Sequence, residues 1–211
     1  MQNIFEIVYQ LVKESAPHSV ENLNPPANEE QLSKLKCAIQ EMPDELERYF
    51  KLHNGEAVSW ISIFPNGMQL IDIDLLIELY SYQTSTNDYF IDNVDELVEK
   101  NVMDRPVGPV RPVFQYSKRI PFAQMNGSII WYVDMDPAEG GNVGQIIEED
   151  AEDLSIRVIA NSLSELFNLY IKDLENGAFT TDGEGQIINE SEHWPNKLLE
   201  RASSSAKGDY N

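Results

Sequence analysis

Two apolar-rich runs between Arg119 and Asp134 flank Asn126-Gly127, and this stretch restricts the fold more than any other in the chain. Asn-Gly is the pair that most readily accepts positive φ at both central turn positions, so the two runs are expected to lie antiparallel as a hairpin. A loop over Pro137 to Asn142 leads to strands expected near 143 to 148 and 155 to 160, separated by an acidic turn. The second half of the chain should therefore build a mostly antiparallel sheet.

Helical spacing brackets that region. Ile4, Phe5, Val8, Leu11 and Val12 mark an amphipathic helix over 3 to 14, and a polar link with Pro25 and Pro26 follows. Asn28 is an N-cap candidate before Leu32, Leu35, Ile39 and Met42. Pro43 suits the first turn of a third helix, with Asn54-Gly55 as its C-terminal cap. Trp60 to Phe64 is a short strand candidate, Leu75, Leu76 and Leu79 suggest a short helix, and 81 to 93 reads as loop. Pro106, Pro109 and Pro112 make 104 to 112 extended and peripheral. Ser162 and Glu165 form a capping box for a helix that stops at Gly177. A short helix around Asn196 to Arg201 and a frayed SSSAKGDYN end complete the chain. Helices first, hairpins in the middle and a closing helix describe an α+β fold, a central mostly antiparallel sheet packed by helices in a single domain. The expected division is an N-terminal helix and linker over 1 to 24, a core domain over 25 to 177 and an extension over 178 to 211.

Charge bears on function more than on fold. The 211 residues carry 36 acids against 15 Lys and Arg, a formal charge of -21. Binding to nucleic acid needs a cationic face that releases counterions, and an acidic membrane would repel this chain, so neither is expected as a direct partner. The N-terminus lacks the basic start and apolar run of a secretory signal, and the single Cys37 permits no intrachain disulfide, which points to a cytoplasmic protein. No nucleotide loop, nucleophile elbow or zinc helix motif is present, and His18, His53 and His193 are scattered; no cofactor is expected. Asp134 and Asp136 share a strand face and could hold a divalent cation, but DMDPAEGG has Glu139 where a calcium loop needs glycine, so a turn role is favoured. Between Ile120 and Ile156 there are eight acids and no Lys or Arg, five of them in EEDAED. That run is either a solvated turn guarding a hairpin edge or a patch that steers a cationic partner.

Three segments, PPANEEQLSKLKCAIQEMPDELERYFKLHNG, VRPVFQYSKRIPFAQMNGSIIWYVDMDPAEGGNVGQII and VIANSLSELFNLYI, resemble the SUKH superfamily in order over residues 25 to 175. That group contains the fungal cell-wall-assembly regulator and many bacterial immunity proteins of polymorphic toxin systems. Phe114 and Arg119 stand where fungal-type members tend to have tryptophan, and 81 to 105 looks individual to this chain. The resemblance implies an α+β fold without a catalytic centre, and a cytoplasmic immunity protein that sequesters a cognate toxin, with a nuclease as one fitting class. A regulatory scaffold is the alternative, and a metal-dependent enzyme using Asp134 and Asp136 a distant third. The expected contacts to a basic partner are Glu148, Glu149, Asp150, Glu152 and Asp153, then Asp134 and Asp136.

Overall fold

The computed structural model describes residues 2–58, 60–189 and 193–196. Its helices are α1 (Gln2–Ser15), α2 (Pro17–Glu21), α3 (Glu29–Ala38), α4 (Asp44–Phe50), α5 (Ile73–Ser85), α6 (Val94–Glu99) and α7 (Leu163–Glu175). Strands β1 (Gln69–Leu70), β2 (Arg119–Met125), β3 (Ile129–Asp134), β4 (Gln145–Asp150) and β5 (Ser155–Ala160) form one antiparallel sheet in that order. A separate pair, β6 (Thr180–Thr181) and β7 (Ile187–Ile188), follows. This is the α+β architecture expected from the sequence.

The hairpin forms as read. Asn126 and Gly127 have φ of 53° and 73°, and Ser128 N–H donates to Met125 O at 3.2 Å across the turn. Pro121 sits inside β2 opposite Tyr132, and the register shifts immediately after it, so the extra residue of the bulge is Phe122, next to the residue that cannot donate to the ladder. Asn28 caps α3 reciprocally with Gln31 at 2.9 and 3.0 Å. Ser162 caps α7, while Glu165 reaches one residue further back, to Asn161 N–H.

Several segments differ from expectation, and in some of them a side chain takes the local N–H groups. No strand forms over Trp60 to Phe64; the Ile63 N–H goes to the Glu56 carboxylate at 2.7 Å, and the edge strand lies at β1 instead. Asn54-Gly55 does not cap α4, which ends at Phe50. The Asn54 side chain instead accepts from Ile73 N–H at 3.0 Å, and a Cβ on Gly55 would stand 2.5 Å from Asp72 N. α5 runs into the expected loop because Gln83 is buried in its last turn and donates to Arg119 O at 2.7 Å. The polar link before Pro25 contains α2. The helix expected over 196 to 201 and the SSSAKGDYN end lie outside the described residues from 197 onward.

The sheet is covered on both faces. On one, Ile120, Phe122, Trp131, Val133 and Ile146 pack with α1, α4 and α7 in a core that also takes in Trp194. Rings interlock there: Phe64 stands 5.1 Å from Trp131 and 4.9 Å from Tyr170, and Trp194 lies 5.2 Å from Tyr170. Trp194 Nε1 donates to Asp173 at 2.9 Å. On the other face a smaller core of Tyr132, Ile147 and Ile156 lies beneath Val110 and Phe114 of the proline-rich segment. That segment also closes the β5 edge, where Val107 N–H donates to Ile156 O at 3.0 Å and Val158 N–H to Val107 O at 2.9 Å.

Candidate functional site

β4 is an interior strand flanked by β3 and β5, and every one of its residues is buried, including Glu148, Glu149 and Asp150. Successive side chains point to opposite faces, so Glu148 enters the helix-side core and Glu149 the proline-covered one. A carboxylate taken out of water must recover its hydrogen bonds and find counter-charge.

Glu148 does both. In register, Arg157 stands opposite on β5 and Trp131 opposite on β3. Oε1 accepts from Arg157 Nε at 2.8 Å and also from Nη2, while Oε2 accepts from Trp131 Nε1 at 2.7 Å and His193 Nε2 at 2.6 Å. Burial disfavours its charge, but the hydrogen bond and charge of His193, with Arg157, outweigh burial and hold the carboxyl below its ordinary value.

On the opposite face Arg119 is fully buried, and its Nη1 donates to Glu149 Oε1 at 2.6 Å and to Val113 O. Nη2 donates to Arg111 O at 2.7 Å, and Gln115 N–H donates to Glu149 Oε2 at 2.9 Å. Burial pushes Glu149 up against the opposing pull of Arg119. Asp134, opposite Arg119 in register, accepts from Gln145 Nε2 at 3.0 Å and Asp136 N–H at 3.2 Å, and is likewise raised by burial. Asp136 accepts from Tyr116 Oη at 2.5 Å and pairs with Arg111 Nε at 2.9 Å; Tyr116 and Arg111 together hold it low.

The expected contact surface is corrected accordingly. Glu148, Glu149 and Asp134 are buried in ion pairs and hydrogen bonds, so they hold the sheet to its two covers instead of facing solvent. Asp150 is also buried and accepts from Glu152 and Asp153 N–H at 2.8 and 3.2 Å, which shapes the turn. Glu152 and Asp153 are exposed, and Asp136 is half-exposed beside Arg111. EEDAED is thus half strand and half turn. The sequence reading missed Arg119, Arg157, Trp131 and His193; the Glu148–Arg157 pair was accessible from the hairpin register once the turn is centred on 151 to 154, whereas His193 comes from a segment 45 positions away.

Among the described residues no group of three or more His, Cys, Asp or Glu side chains could hold a metal ion, and no helix is long and apolar enough to cross a membrane. The fold and site define an α+β protein whose central antiparallel sheet is covered on both faces and cross-braced by buried carboxylates. Residues 26–169 match the SMI1 / KNR4 family (SUKH-1), and the chain belongs to that family. No curated protein matches the chain.

Proposed function

We propose that this chain is a non-catalytic, cytoplasmic immunity protein that binds and neutralises a cognate toxin. The surplus of 21 negative charges on a chain of this family carries the reading. A toxin that attacks nucleic acid must itself present positive charge, so an acidic inhibitor meets complementary potential and associates fast at low salt. The carboxylates nearest to a catalytic type, Asp134, Glu148 and Glu149, commit their oxygens to internal donors, which favours binding over chemistry. The docking face on this reading includes the exposed Glu152 and Asp153 of the β4–β5 turn. Co-production of the chain with the toxin encoded beside its gene should restore growth and give a stable complex. Growth arrest that persists at excess immunity protein would sink the reading.

A further inference from the structure

Residues 84–102 are fixed in place by the fold, yet none of them is buried. Ordering a segment costs conformational entropy that burial of its apolar side chains ordinarily offsets, and here that burial is missing. We propose that this segment, with the last turn of α5 and the β4–β5 turn, is a docking face for a cationic protein surface. The proposal rests on the binding role given above and names where the partner sits and what chemistry it presents.

Backbone bonds hold the segment against its neighbours. Asp88 accepts from Ser117 N–H at 2.8 Å and from Ser117 Oγ at 2.7 Å, and Ile91 N–H donates to Pro112 O at 2.9 Å. Gln83, at the end of α5, donates to Arg119 O at 2.7 Å, so the last turn of α5 and the Tyr89–Phe90 corner flank the same stretch of chain. Asp104 N–H donates to Leu154 O at 3.3 Å, which makes the segment continuous with the turn that carries Glu152 and Asp153. A surface positioned before the partner arrives loses less entropy on binding.

What this segment shows to solvent is apolar as well as acidic. Of the nine large hydrophobic side chains exposed among the described residues, five lie here: Tyr82, Tyr89, Phe90, Val102 and Val107. Tyr89 is 81% exposed and Tyr82 62%, while the Phe90 ring rests edge-on against Tyr116 at 5.4 Å. Scattered exposed hydrophobics are ordinary, but a concentration of them marks a contact surface, and tyrosine is a frequent anchor in such surfaces. α6 fits the pattern, since it buries no residue at all.

Charge selects the occupant. Residues 86–105 hold six acids and two bases, and both bases are spent locally, Lys100 on Glu96 and Arg105 on Asp95 at 2.7 Å. Asp88, Asp92, Glu99 and Asp104 are exposed and form no ion pair among the described residues. A second copy of this chain across a two-fold axis would set these acids against themselves. A basic protein surface meets them with complementary potential, and its arginines can also stack on the tyrosine rings.

The test is a titration of the full chain with an acetylated, amidated hexapeptide of alternating arginine and leucine, read on backbone amide signals. The control peptide has glutamine in place of arginine. Saturable shifts should concentrate at Tyr89, Phe90, Asp92 and Leu97, and the control should bind about fivefold more weakly. Tyr89→Ala changes only an exposed side chain, so the fold stays intact and the affinity for the arginine peptide should fall about fivefold. Asp92→Lys with Glu99→Lys should weaken it as well and flatten its dependence on salt. Shifts spread evenly over the surface, equal binding of the two peptides, or unchanged affinity in Tyr89→Ala would overturn the face. A dimer in sedimentation that Tyr89→Ala dissociates would assign the face to a second copy and overturn the cationic occupant. Growth rescue without peptide binding sinks the face and leaves the immunity reading standing; peptide binding without rescue supports the face and removes the toxin as its partner.

Discussion

Glu56 is a buried carboxylate outside the acidic strand, held by backbone N–H groups. It is 3% exposed, Oε1 takes the Ile63 N–H at 2.7 Å, and Oε2 takes the Leu70 N–H at 2.8 Å. The Ser62 hydroxyl stands 3.1 Å from Oε1 and 2.6 Å from Met68 O, and has one proton to share between them. Burial, partly opposed by the Ile63, Leu70 and Ser62 contacts, raises Glu56 from 4.5 to about 8. The folded state therefore holds this proton more tightly than the unfolded chain. The Glu56 contribution to stability is full below about 4.5, declines as pH rises toward about 8, and is lost above it. Gln at this position must aim its NH₂ at a backbone N–H that now finds an acceptor. Urea unfolding should thus show Glu56→Gln less stable than wild type by about 1–3 kcal/mol at pH 5. The gap should narrow by pH 8.5; a gap that widens with pH would show that Glu56 is ionised in the native protein.

Turns and strands separate what sequence patterns encode from what they leave open. Asn126-Gly127 was legible because its backbone demand is local: both residues sit at positive φ, and a Cβ on Gly127 would meet only Gln124 Oε1 at 4.0 Å. Gly127→Ala should therefore cost about 1–2 kcal/mol of backbone strain alone. Asn54-Gly55 has the same letters but a tertiary demand, since the 71–72 backbone passes within 2.5 Å of where a Cβ would be. Gly55→Ala should cost distinctly more than Gly127→Ala in the same urea titration, and the reverse order would refute the close-approach reading. The same distinction explains β4. Charge runs are ordinarily solvated, so EEDAED reads as a turn, yet Glu148 and Glu149 enter the sheet because Arg119, Arg157 and His193 arrive from β2, β5 and the C-terminal segment. Caps and the hairpin are carried by neighbours in sequence; the bracing of an interior acidic strand depends on partners up to 45 positions away.

At the scale of the whole molecule the acidity divides into charge that builds the fold and charge that remains on its surface. The total of -21 does not distinguish them, nor does their crowding into residues 148–153. Reversing all five acids of that run together would remove the internal counter-ions of Arg119 and Arg157, so lost binding would report unfolding. Two variants separate the contributions. Glu148→Gln keeps the shape but withdraws the charge facing Arg157 and His193, and breaking a buried pair of this kind costs about 3–5 kcal/mol. It should lower the unfolding midpoint while leaving the association rate of the remaining folded protein near wild type. Glu152→Lys with Asp153→Lys changes only exposed positions of the turn and should leave the midpoint within about 0.5 kcal/mol. Its association rate with the basic partner should fall several-fold at low ionic strength, with a flatter dependence on salt, because steering acts through long-range fields that salt screens over about 8–10 Å. Stopped-flow association across a salt series reads both quantities, and an unchanged rate in the double reversal would move the docking face away from the β4–β5 turn.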